Sequence, residues 1–202
     1  NLDDVGRGPS CLPLAAPLEV LVLPARGGIG RAVETQAGTL AAEVARKLGG
    51  RHRLLHMPDQ VDEAARAALL QMPEFQETVA LLHQVDVLLH GIGRADDMAR
   101  HRHLAEPVSR NLLEKGAVAE AFGCFFDRMG QPVYAVSSVG LDPSALARIP
   151  TLVAVAAGGR KAEAIIGVMR LRRHALLITD EAAAREMARL LSRTGQDSGA
   201  SL

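Results

Sequence analysis

The sequence predicts an α/β fold, a doubly wound and mostly parallel sheet covered by helices on both faces. Two observations predict it. Short apolar runs alternate with Ala-, Leu- and Arg-rich segments of helical spacing, and 48% apolar residues over 202 positions supply enough side chains for a sizeable core. Sheets of this kind are buried on both faces, so their strands read as continuous apolar runs, and they receive ligands at the C-terminal ends of the strands.

Along the chain, residues 1–17 hold Gly6, Gly8, Pro9, Pro13 and Pro17 without a hydrophobic period and read as an irregular lead-in. Strands are predicted at Leu18–Leu23, Leu54–Met57, Val85–Leu89, Val133–Val139, Leu152–Ala157 and Ala175–Ile178. Helices are predicted at Ala32–Leu48, Asp62–Gln71, Glu74–Gln84, Leu104–Lys115, Lys161–Arg170 and Glu181–Ser192. One domain over 18–192 results. The polar, small-residue tail 193–202 reads as disordered.

Composition excludes several classes. Lys plus Arg (23) equals Asp plus Glu (23), so no overall positive field holds a polyanion, and any anion is caught locally. Four Phe, one Tyr and no Trp leave almost nothing on which bases stack, and no helix-turn-helix pair with a basic second helix is present. No apolar run reaches the roughly 18 to 20 residues of a membrane span, and no leader pattern opens the chain. Cys11 and Cys124 are too few for a disulfide framework or a thiolate zinc site, and reduced thiols suit the cytoplasm.

Glycine-rich turns at strand ends carry the chemistry. Pro24-Ala25-Arg26-Gly27-Gly28-Ile29-Gly30 follows a strand and opens a helix. Its glycines allow close backbone approach, and Arg26 offers a planar fork to a phosphate or carboxylate; the plainer reading is a tight turn with a surface arginine. His90-Gly91-Ile92-Gly93-Arg94 lacks the third glycine and the ribose-binding acid of a dinucleotide site. Ala157-Gly158-Gly159-Arg160-Lys161 places two cations in the first turn of a helix, where they oppose the helix dipole. An anion neutralises them there, or they splay into solvent. Thr179-Asp180-Glu181 reads as a helix start, with Thr179 or Asp180 as the cap.

Other polar residues near these turns have two readings each. Glu120 precedes an apolar stretch and accepts hydrogen bonds from sugar hydroxyls, or is an ordinary helix-face acid. Gln36 lies on the helix that the first turn opens and faces its crevice or solvent. The cluster Arg100-His101-Arg102-His103 folds over the second turn or forms a solvated face. Ser137 and Ser138 lack the elbow that exposes a nucleophile, the histidines lack metal-ligand spacing, and no catalytic or metal constellation is read from the sequence.

From Leu18 to about Met187, in one register, Leu-Pro-Ala-Arg-Gly-Gly-Ile-Gly, Gln36-Ala37, His90-Gly91-Ile92-Gly93, Ala119-Glu120-Ala121-Phe122-Gly123, Ile149-Pro150, Lys161-Ala162-Glu163-Ala164-Ile165 and Thr179-Asp180-Glu181 resemble the effector-binding domain of the SorC family of bacterial transcriptional repressors. The resemblance implies a sensor of a phosphorylated sugar, fructose 1,6-bisphosphate or a relative, that relieves repression of glycolytic genes by changing contacts between subunits. It implies a homodimer, a tetramer in the full-length protein, operator DNA bound only through a domain outside this chain, and no cofactor. Carried over by match, Arg26 and Gly27 grip a phosphate, Gln36 supports it, Glu120 bonds sugar hydroxyls and Lys161 binds at the glycine-opened helix. An additional family arginine falls at His101 in this register, with Arg102 adjacent, and the family's earlier Gly-Thr-Thr phosphate loop has no counterpart in residues 1–17.

The family shares its architecture with ribose-5-phosphate isomerase and glucosamine-6-phosphate deaminase, which makes a sugar-phosphate enzyme the alternative. Those deaminases follow Gly-Ile-Gly with a histidine-bearing proton-transfer motif. Here Arg94-Ala95-Asp96-Asp97-Met98 stands there instead, without that base.

Overall fold

The computed structural model describes residues 18–29, 36–141, 143–171 and 176–197. They divide into two compact units, one containing the residues up to 88 with 136–150, the other 89–135 with the residues from 151 onward.

In the first unit, β1 (Leu21–Val22) pairs in parallel with β2 (Arg51–His52) across α1 (Ala37–Leu48). Two further helices follow, α2 (Glu63–Leu69) and α3 (Pro73–Leu82). Asp62 starts α2 by accepting the Ala65 N–H at 2.7 Å, and Pro73 starts α3 where its missing N–H costs nothing. Leu55, Phe75 and Val139 form the core between them, joined by Met57, Leu69, Leu70 and Val79.

The second unit contains two sheets. The first has the order β3 (Val87–Gly91), β8 (Thr151–Val155), β9 (Leu176–Ile178), with the unit boundary inside β3 between Leu88 and Leu89. β8 and β9 run parallel, Val153 opposite Leu176 and Val155 opposite Ile178. The second sheet is an antiparallel meander of β4 (Gly93–Arg94), β5 (Ala117–Ala121), β6 (Cys124–Asp127) and β7 (Pro132–Ala135). Helices α4 (Ala95–His101) and α5 (Glu106–Glu114) connect β4 to β5, while α6 (Ala162–Leu171) and α7 (Glu181–Asp197) follow β8 and β9.

The unit thus holds a sheet with a parallel pair and a separate antiparallel sheet where the sequence predicts one mostly parallel sheet, and the physical reason lies at Phe122-Gly123. A two-residue turn joins β5 to β6, with Ala121 opposite Cys124, and so short a link permits only antiparallel neighbours. The sequence concealed it twice over. Ala-Val-Ala-Glu-Ala has helical propensity, and Phe-Gly is not the Asn-Gly signature of such a turn. Other strands shift for local reasons. The run 54–57 lies outside any strand, β2 forms earlier at Arg51–His52, and the strand predicted to Val139 ends at Ala135. Glu120 lies on β5, which overturns its reading as a helix-face acid, and α4 occupies a stretch with no predicted helix. The helix read from Ala32 begins among the described residues at Ala37, and α7 continues to Asp197, past the predicted start of the tail at Arg193. The lead-in 1–17 and residues 198–202 lie outside the described residues.

Small residues set the packing of the second unit. Ala162, Ala164, Ile165, Gly167 and Val168 make the buried stripe of α6, which sits on β5 and β6 through Ala119, Phe126 and Val118. A Cβ at Gly167 would lie 2.9 Å from the Asp127 carbonyl oxygen and 3.3 Å from Val118 Cγ2, so only glycine admits this approach. We predict that Gly167→Val, by overpacking this contact, lowers stability by about 1–3 kcal/mol. A urea-denaturation midpoint equal to that of the unsubstituted chain would refute it.

Candidate functional site

The strand ends of the second unit assemble a loop suited to an anion. β8 leads through Ala156 and Ala157 to Gly158, whose φ is 96°, then through one turn of 3-10 helix (Gly159–Lys161) into α6. The Lys161 N–H donates to the Gly158 carbonyl at 2.9 Å, and the Ala156 N–H donates to the Ile178 carbonyl of β9 at 3.0 Å. Lys161 is half-buried and, among the described residues, its ammonium group has no ion pair or hydrogen bond. Arg160 is exposed. The backbone N–H groups at the start of α6 and the lysine thus converge on one strand end, where they favour negative charge.

Two groups that the sequence does not place at this loop hold it. Asp180, just beyond β9, accepts the Gly158 N–H at 3.0 Å on both carboxylate oxygens and caps α7 by accepting the Ala183 N–H at 2.8 Å. These backbone hydrogen bonds, that from Ala183 first and Gly158 next, hold the carboxyl below its usual range. Of the two predicted caps, Asp180 is the one that accepts. From the other side, Arg94 donates through Nη1 to the Arg160 carbonyl at 3.4 Å. Arg94 is itself oriented by Asp96, which accepts from Nε at 2.9 Å and Nη2 at 2.7 Å, with Asp97 at 3.5 Å. The hydrogen-bonded Arg94 guanidinium holds Asp96 below the usual carboxylate range. Arg100 pairs with Asp97, so both carboxylates at the place of the deaminase motif serve ion pairs.

Glu120 occupies a buried junction in the same unit. It is 5% exposed, faces Gly93 across the β4–β5 ladder, and its Oε1 accepts from Arg102 Nη2 at 2.8 Å and from the Gly123 N–H at 2.7 Å. Arg102 is 9% exposed at the end of α4, whereas its neighbour His101 is exposed. Of the two residues carried over from the family's additional arginine, Arg102 therefore stands at Glu120. The junction reaches the loop through β4, since Gly93 opposes Glu120 and Arg94 contacts Arg160.

Arg26, Gly27 and Gln36 lie in the first unit. Arg26 Nε donates to Asp59 at 2.8 Å and Nη2 donates to the Val136 carbonyl at 3.1 Å, with side-chain exposures of 12% for Arg26 and 4% for Asp59. It is a largely buried ion pair, which sets aside the surface-arginine reading. A Cβ at Gly27 would fall 2.5 Å from the Pro58 carbonyl oxygen, so this glycine answers to backbone approach. Gln36 Nε2 donates to the Ile29 carbonyl at 3.2 Å and lines an open cleft of about 510 Å³ with Gly28, Thr39, His52, His56 and Met57.

Among the described residues no group of three or more His, Cys, Asp or Glu side chains is placed to hold a metal ion. No described helix is long and apolar enough to cross a membrane.

Fold and loop together define a mixed α/β domain that presents a cationic loop at the ends of parallel strands. Residues 13–189 match the family model described as "Putative sugar-binding domain". The chain is 38% identical over 171 residues to the central glycolytic genes regulator of Bacillus subtilis, a match spanning 85% of this chain and 50% of that protein. It superposes on the crystal structure titled "putative SorC family transcriptional regulator from Enterococcus faecalis" with a TM-score of 0.80 and 39% identity, over 93% of this chain and 76% of that one. The full-length sorbitol operon regulator SorC from Klebsiella pneumoniae, 20% identical over 92% of this chain and 62% of its own, has the same fold at a TM-score of 0.81. The chain belongs to the SorC family of sugar-binding domains. It spans about half the length of the curated regulators it matches.

Two predictions follow from this geometry. Glu120→Ala removes the carboxylate bound by the buried Arg102 guanidinium and is expected to cost about 3–5 kcal/mol, whereas Arg102→Met with Glu120→Leu recovers most of that loss. Chemical denaturation of both variants checks it, and a single variant as stable as the double one contradicts it. Because the folded-state carboxyl of Asp180 titrates below its unfolded value, its contribution is complete above about pH 4 and disappears as pH falls through the lowered value. The unsubstituted chain therefore loses stability on acidification more steeply than Asp180→Asn, as thermal unfolding across pH 2–5 would reveal.

Proposed function

We propose that this chain is the effector-sensing part of a repressor of glycolytic genes, and that its effector is a phosphorylated sugar, fructose 1,6-bisphosphate or a close relative. The observation that carries the reading is Lys161, a half-buried cation without a carboxylate partner among the described residues, at the glycine-opened start of α6. A phosphate carries about 1.5 to 2 negative charges at neutral pH, and such a loop offers it both backbone N–H groups and an ammonium. The names of the relatives support the setting, since they are transcriptional regulators.

In this proposal Lys161 binds a phosphate, Glu120 accepts from sugar hydroxyls and Arg102 donates to the effector's oxygens. The family resemblance also assigns effector contacts to Arg26, Gly27 and Gln36. Arg26 takes that role while also bound to Asp59. The effector changes contacts within a homodimer, or a tetramer of the full-length protein, in the cytoplasm. Operator DNA is bound by a domain outside this chain, and no cofactor takes part. His101, exposed at the end of α4, has a weaker claim to the effector than Arg102.

Isothermal titration calorimetry with fructose 1,6-bisphosphate, fructose 6-phosphate and inorganic phosphate tests the proposal. Removing a charge-assisted hydrogen bond costs about 1.5–3 kcal/mol, so Lys161→Ala is expected to weaken the bisphosphate about 10- to 150-fold. Equal affinity in Lys161→Ala would remove this loop from the site.

A further inference from the structure

The turn that joins β5 to β6 combines a left-handed backbone with an aromatic side chain, partly buried and packed against the core cluster of this unit. Its central residues, Phe122 and Gly123, both have positive φ, 57° and 72°. Two-residue hairpin turns of this shape favour Asn-Gly, because a bulky side chain is strained in the left-handed region. Phe122 holds that strained conformation with its ring only partly buried. The ring lies against His90, at the end of β3, with centroids 4.3 Å apart and planes inclined by 50°. Beneath the same turn, the Gly123 N–H fixes the Glu120 carboxylate, which Arg102 also holds.

An aromatic face beside an oriented carboxylate is the chemistry that recognises a sugar ring. The C–H face of the sugar covers the aromatic surface, and its hydroxyls donate to the carboxylate. Strained backbone in a folded protein points to a role that the strain serves. We infer that Phe122 is a specificity-determining residue, an apolar platform for the sugar ring of the effector that distinguishes a sugar phosphate from phosphate alone. The inference rests on the sugar-phosphate reading above and adds the group that reads the carbohydrate.

Phe122→Asn removes the ring while keeping the hairpin, because Asn-Gly is the favoured sequence for this turn, and unchanged inorganic phosphate binding separates recognition of the sugar from lost packing. Calorimetry is run on the unsubstituted chain, Phe122→Asn, Phe122→Tyr and Lys161→Ala, each with fructose 1,6-bisphosphate and with inorganic phosphate, alongside urea denaturation. The expected result is at least tenfold weaker sugar bisphosphate binding by Phe122→Asn with unchanged inorganic phosphate binding, in a variant that still unfolds cooperatively in urea. Phe122→Tyr, which keeps the ring, retains the sugar affinity, and Lys161→Ala weakens both ligands. Sugar-bisphosphate binding that Phe122→Asn leaves unchanged overturns the platform alone, whatever its effect on stability. Equal weakening of both ligands in Phe122→Asn also overturns it, since the loss then concerns phosphate. Absence of sugar-phosphate binding in the unsubstituted chain overturns the effector reading and this inference together.

Discussion

The Glu120 carboxylate is bound by the Arg102 guanidinium and by the Gly123 N–H, and much of the second unit is arranged around that junction. It ties the end of α4 to β5 and fixes the turn into β6, so a helix and a hairpin far apart in the chain share one anchor. Burying two opposite charges is costly, and the arrangement persists because each charge has a partner at short distance and the carboxylate also receives a backbone donor. β4 faces β5 at this place through Gly93, and from β4 the next residue, Arg94, reaches the loop before α6.

That loop is held from two sides by groups of opposite charge. Asp180 receives the Gly158 N–H while capping α7, and Arg94 donates to the Arg160 carbonyl while bound by Asp96. Every carboxylate there has a backbone or arginine partner, which leaves the half-buried Lys161 ammonium and the exposed Arg160 guanidinium as the loop's unmatched charges among the described residues. A chain of zero formal net charge thereby gains a local positive site without any basic patch in its composition.

Arg26 illustrates a different balance. Its fork is shared between Asp59 and the Val136 carbonyl, and Gly27 is required by the approach of the Met57–Pro58 backbone. A motif chosen for its ability to bind phosphate thus has local structural duties as well. The sequence contains no spacing that would announce Asp59, which lies 33 residues from its partner. The same limit applies to Arg102 and Glu120, 18 residues apart on a helix end and a strand.

By itself the sequence determined the alternation of helices and strands, the glycine turns at strand ends, and Lys161 at the opening of α6. These depend on local periodicity and turn chemistry, which act over a few residues and are written in the order of side chains. Only the tertiary structure decided that β5 and β6 form an antiparallel hairpin, because alanine-rich β5 becomes a strand through burial against α6 and α4. Tertiary structure likewise decided which charges meet. Arg102 with Glu120, Arg26 with Asp59 and Asp180 with Gly158 are pairings between separate elements, and a hydrogen bond forms where the fold brings donor and acceptor within about 3 Å, irrespective of their distance along the chain.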